Sequence, residues 1–94
     1  MYGESHPADR FDRVVFMLRH IDTGEYVCLR REGREHLASF SEPRAAQRFQ
    51  EEMRLVEFVD IVAMPLGDAP FDWFWLDGVA FGRSTVGLPR QLAA

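Results

Sequence analysis

The chain has 94 residues, 15 acidic against 11 basic side chains for a formal net charge of −4, and 47% hydrophobic residues. This length supports one domain with one modest core, and the apolar fraction excludes a mainly disordered chain. The acidic balance argues against unspecific attachment to nucleic-acid phosphates or anionic membranes, which requires clustered positive charge.

All the basic residues are Arg, scattered through the chain, a pattern read as coding bias rather than as a dedicated guanidinium surface. Cys28 is the only cysteine, so no internal disulfide forms, and a reducing compartment fits. The first dozen residues lack the apolar core of a signal peptide, and no stretch approaches the roughly 18–20 apolar residues of a membrane span. A soluble, cytoplasmic protein is expected.

Residues 1–11 are polar, contain Gly3 and Pro7, and read as a flexible N-terminal arm ahead of a single domain over 12–83. Arg13 to Ile21, rich in β-branched and aromatic residues, predicts a strand, and Asp22-Thr23-Gly24-Glu25 a turn into a second strand, Tyr26 to Arg31. With Thr23-Gly24 as the loop, Ile21 pairs with Tyr26 and Arg19 with Cys28. One face then carries Val14, Phe16, Leu18, His20, Val27 and Leu29. The other carries Val15, Met17, Arg19, Ile21, Tyr26, Cys28 and Arg30, and is too apolar for an ordinary solvated surface. A one-residue slip would exchange these assignments on one strand.

Glu32-Gly33-Arg34 gives a second turn and His36 to Phe40 a third strand. Ser41 suits a helix N-cap and Pro43 a first helical turn. From Glu42 to about Arg54, Ala45, Ala46, Phe49 and Met53 recur at helical spacing, which predicts an amphipathic helix. Val56 to Met64 predicts a fourth strand ended by Pro65, and Leu66 to Pro70 is a loop by composition. Phe71 to Leu76 is a fifth strand. Asp77-Gly78 is a strong type I′ hairpin signal leading into a sixth, Val79 to Arg83. The tail over 84–94 has no pattern.

The expected fold is therefore α+β, a mainly antiparallel sheet in the order βββ-α-βββ with one central amphipathic helix packed on one face. Six strands about 4.8 Å apart span more than ~20 Å, whereas a helix is about 10 Å across, so one helix cannot cover even one face. In the fifth strand Phe71, Trp73 and Trp75 share one face, and Asp72, Phe74 and Leu76 the other. Phe74 and Leu76 are expected to face the helix, leaving Trp73 and Trp75 as half of an interface.

Chemical sites have little support. His20, Cys28 and His36 fall on three successive predicted strands, but their spacing matches no ligand motif and the hairpin register sets His20 and Cys28 on opposite faces; no metal is expected. Cys28 has only Arg19 and Arg30 nearby to activate it. Asp77 belongs to its turn, and Glu51-Glu52 to a solvated helix face. Asp72, among four aromatics, reads as an exposed residue near a strand start. No Gly-rich phosphate loop is present and no cofactor is expected.

The leading expectation is a small non-catalytic protein-interaction or regulatory domain, working through its aromatic sheet face as a homodimer or with a protein partner. Phe71, Trp73, Trp75, Tyr26, Met17 and Arg19 are its candidate binding residues. The alternative is a small-molecule-binding protein or minor enzyme, its pocket walled by Trp73, Phe74 and Trp75 with polar groups from Asp72, His20 or Arg19. A third is single-stranded nucleic-acid binding by stacking on Phe71, Trp73 and Trp75 with Arg30 and Arg31 alongside.

Overall fold

The computed structural model describes residues 11–83. Six strands and one helix follow the predicted order: β1 (Val14–His20), β2 (Cys28–Arg31), β3 (Arg34–Phe40), α1 (Pro43–Glu52), β4 (Val59–Pro65), β5 (Trp73–Leu76) and β6 (Val79–Gly82). The fold is α+β, with a mostly antiparallel mixed sheet and the helix packed on it. The predicted tail, and the predicted arm up to residue 10, lie outside the described residues. Phe11, read as the end of that arm, instead packs edge-on against Phe74 and Phe81, with ring centroids 5.8 and 6.3 Å away.

The sheet runs β4-β1-β3-β5-β6, with β2 also paired to β3. Only β3–β5 is parallel. β1 and β2 do not form the expected hairpin. Both run antiparallel to β3, β1 through Phe16↔Phe40 and Met17↔Ser39, β2 through Cys28↔Leu37 to Arg31↔Arg34. The chain leaves β3 after Leu18, makes a short excursion closed by the bridge Arg19↔Tyr26, and returns to continue in the same direction. Val27 is the wedge: its N–H donates to the Leu18 carbonyl (2.9 Å) and its own carbonyl accepts from the Ala38 N–H (3.1 Å).

Arg19 thus opposes Tyr26 rather than Cys28, a shift of two residues. Because strand side chains alternate with a period of two, such a shift leaves each residue on its predicted face. Val15, Met17 and Tyr26 do lie in one core cluster, and Phe16, Leu18, Val27 and Leu29 in the other. The two tight turns match their residues, with positive φ at Glu32 and Gly33 (53° and 79°) and at Asp77 and Gly78 (51° and 93°), as type I′ geometry requires.

The helix is shorter than predicted and begins differently. Glu42, not Ser41, is the N-cap residue, and no side chain caps it. Ser41 instead donates its backbone N–H to Asp77 Oδ1 (3.1 Å), which ties the β5–β6 turn to the end of β3. Ala46 and Phe49 pack on Leu18, Ala38, Phe40 and Trp75. Met53, expected on this apolar face, lies just past the last helical turn and is exposed.

The opposite face holds Val15, Met17, Leu37 and Phe74 and is covered by the segment after β4. There the chain makes a 3-10 turn, Leu66–Asp68, that buries Leu66 and, just beyond it, Ala69. Arg83 pins this cover. Its Nη2 donates to the carbonyls of Ala69 (3.0 Å) and Phe71 (2.8 Å), and its Nε donates to Phe71 as well (3.2 Å). The guanidinium carbon sits 5.2 and 5.3 Å from the Phe11 and Phe74 ring centroids, a cation–π placement on the rings it helps to cover.

Arg83→Met keeps the apolar stem but strands the Phe71 carbonyl and leaves the Ala69 carbonyl with only the Phe71 N–H (2.8 Å), so a loss of about 1–3 kcal/mol is expected in urea unfolding. Arg83→Lys should recover less than half of that, since an ammonium cannot reproduce the planar fork of donors.

Candidate functional site

The six aromatic-patch residues do not form one surface. Trp73 and Trp75 lie on the helix side of the sheet, whereas Met17, Tyr26, Phe71 and Arg19 lie on the side of the 3-10 turn. Trp75 packs beneath the helix, its ring 5.7 Å from Phe40 and 6.4 Å from Phe49. Phe74 is on the other face. This reverses the expected assignment: the two odd-numbered tryptophans lie on the helix side, and Phe74 with Leu76 faces the cover. The reason is topological. Parallel pairing sets Trp75 beside Ala38, and the helix sits over that row. Met17 is fully buried, at 0% exposure, and offers nothing to a partner.

Phe71 and Tyr26 do meet, edge to face at 5.9 Å, and are partly buried against the cover. Arg19, exposed, stands opposite Tyr26 on one side and Asp60 on the other. Because Phe74 faces away from Trp73 and Trp75, these three residues do not wall a common pocket. His20 and Arg19 likewise point to opposite faces.

Trp73 lies over Gly82: a Cβ at that glycine would come within 2.4 Å of the indole. Glycine is needed here because the ring occupies the space of a side chain. On its other flanks Trp73 meets His36, a buried ring 5.7 Å away, and the Arg34 guanidinium, 4.1 Å from the indole centroid. His36 Nδ1 lies 3.3 Å from the Arg34 carbonyl, a contact it makes as donor. Arg31 stands directly across the hairpin from Arg34. A base stacking on this face of Trp73 would have to displace Arg34.

The metal and nucleophile constellations do not assemble. Cys28 pairs with Leu37, so its side chain points away from the face of His36 and His20. Among the described residues no group of His, Cys, Asp and Glu is placed to hold a metal. Burial, and secondarily the Glu35 carboxylate, push the Cys28 thiol up. Asp72 is exposed as expected, with Oδ1 3.7 Å from Arg83 Nε.

A prominent surface feature is the hydrogen-bonded turn from Met53 to Phe58, where Val56 to Phe58 are expected as the start of the fourth strand and Met53 and Arg54 as the end of the helix. The helix ends in a Schellman arrangement, with Arg54 N–H donating to the Glu51 carbonyl (3.1 Å) and Leu55 N–H to that of Gln50 (2.8 Å). Arg54 takes the left-handed conformation normally given to Gly at this point, φ 58°. Leu55 turns inward, and its carbonyl accepts from the N–H groups of Phe58 and Val59. Met53, Val56 and Phe58 are held outward, at 54, 53 and 58% exposure. Ile21, 54% exposed, is held beside Phe58 by its N–H bond to the Phe58 carbonyl (2.9 Å). This apolar set borders the outer edge of β4, which no other strand pairs among the described residues.

Arg54→Gly should raise stability by about 1 kcal/mol in urea unfolding, because glycine carries no penalty in the left-handed region. Cys28 should alkylate with iodoacetamide more slowly than free glutathione at pH 8, its rate still climbing above the ordinary cysteine range. The raised thiol contributes to stability while protonated. That contribution is complete below the unfolded cysteine value and is lost as pH rises through the folded one. No helix among the described residues is long and apolar enough to cross a membrane. No family model matches the chain, and neither a curated protein nor a solved structure matches it.

Proposed function

We propose that this domain is a non-catalytic association module that works by self-association. Its binding surface is the Met53–Phe58 turn with Ile21 and the neighbouring edge of β4, rather than the aromatic face of β5. The observation that carries the reading is the outward presentation of Ile21, Met53, Val56 and Phe58 by a backbone locked in hydrogen bonds. Apolar side chains displayed on a rigid, ordered turn lose little entropy when a partner covers them. Phe58 supplies the aromatic anchor that energetic centres of interfaces favour. Against this, Trp73 and Trp75 are already engaged by Arg34, His36, Gly82, Phe40 and Phe49.

Light scattering at high micromolar concentration should give the mass of a dimer. Val56→Ser with Phe58→Ser should weaken self-association at least tenfold, equivalent to about 1.4 kcal/mol, while the far-UV circular dichroism stays unchanged. A monomeric mass for the unaltered protein at that concentration overturns the reading. Trp73→Ala should leave the dimer mass as it is.

A further inference from the structure

We infer that two copies join by antiparallel pairing of β4 with β4 about a two-fold axis at Val62; this rests on the self-association proposed above. The inference comes from which backbone groups the edge leaves open. Ile21 N–H donates to the Phe58 carbonyl at one end of the β1–β4 ladder, and Leu66 N–H donates to the Arg13 carbonyl at the other, both at 2.9 Å. The register between them is continuous, from His20↔Val59 to Val14↔Pro65. Antiparallel alternation then turns the backbone groups of Asp60, Val62 and Met64 toward β1, and those of Val59, Ile61, Ala63 and Pro65 outward.

Two of these outward positions are already closed. Val59 N–H donates to the Leu55 carbonyl (3.0 Å), and the Val59 carbonyl accepts from Gln50 Nε2 (2.9 Å). Pro65 has no N–H to give. Among the described residues, complete donor and acceptor pairs therefore remain open at Ile61 and Ala63. A two-fold axis at Val62 sets Ile61 of each copy opposite Ala63 of the other, so both open residues exchange full pairs of bonds. An axis at Ile61 spends Ala63 on the closed Val59. An axis at Ala63 spends Ile61 on Pro65, and one at Asp60 opposes two carboxylates directly, which is unfavourable. With the axis at Val62, Asp60 stands opposite Met64, and Phe58 falls opposite the Leu66 position of the second copy, where its exposed ring extends the contact beyond the strands. The two open residues, spaced symmetrically about Val62, complement themselves in hydrogen bonds without opposing like charges, which selects a second copy as the occupant.

The test is a cross-link in a Cys28→Ala background. At the axis Val62 meets Val62 as a non-hydrogen-bonded pair with Cα atoms about 4.5 Å apart, within disulfide range. Val62→Cys should give a covalent dimer on mild oxidation. Asp60→Cys should not, because its two copies lie roughly 13–14 Å apart along the strand. Ala63→Pro, which removes an outward N–H, should lower the dimer fraction at least tenfold by light scattering with circular dichroism unchanged. A dimer by light scattering in which Val62→Cys fails to cross-link overturns the register and leaves self-association standing. A monomeric unaltered protein overturns both. If that monomer still protects the Ile61 and Ala63 amides from hydrogen exchange, the edge is occupied by another part of the same chain.

Discussion

A sheet with two apolar faces has to be covered twice, and the described residues supply one α-helix. The second cover is a segment with little regular structure, Leu66 to Phe71, whose backbone carbonyls would be costly to hold over a core without donors. Arg83 meets that need. One guanidinium draws together carbonyls of Ala69 and Phe71 while lying against the rings beneath them. The position of Phe11, the burial of Leu66 and Ala69, and the protection of Phe74 all depend on that segment staying down. A small domain has few apolar residues to spare, so a charged side chain with several donors does work that a larger protein would leave to another helix.

The two covers also decide which aromatic side chains are taken up inside. Trp73 and Trp75, the most conspicuous residues of the sequence, are spent on internal contacts: one under the helix, the other on Gly82 beneath an arginine. The exposure of Val56 and Phe58 is produced by the way the helix ends. Because the chain closes α1 through Arg54 and Leu55, the next three residues cannot continue inward, and Val56 and Phe58 are displayed. The same turn sends Gln50 and Leu55 to cap the start of β4, so the geometry that displays the apolar residues also shortens the open edge beside them.

Much of this architecture was legible because it is local. The Asp77-Gly78 turn, the six strands, and the sorting of β1 and β2 side chains between two faces follow from short-range patterns, and the last survived a register shift because that shift was even. Three features were not legible. The face on which the helix lies relative to β5 depends on the parallel β3–β5 pairing, and a strand apolar on both sides gives no hint of it. The cover of the second face depends on an arginine 12 residues or more away from the carbonyls it holds. The exposure of Phe58 depends on a helix ending without glycine, so the sequence signal for a break is missing and the apolar run reads as strand. Ser41 shows the same limit in reverse, since a residue well suited to capping is instead recruited by a distant carboxylate.

The excursion between β1 and β2 sets a different kind of freedom. In a hairpin the connecting residues reverse the chain, so their number fixes which residues face which. Here the strand resumes along β3 in the direction it left, and the pairing on either side is set by β3 itself. The four residues from Asp22 to Glu25, beyond the Ile21 bond to Phe58, are all exposed and form a detour rather than a corner. That makes the detour the natural place for this fold to vary in length, or to accept a grafted peptide, without reversing a strand or moving a core residue from one face of the sheet to the other.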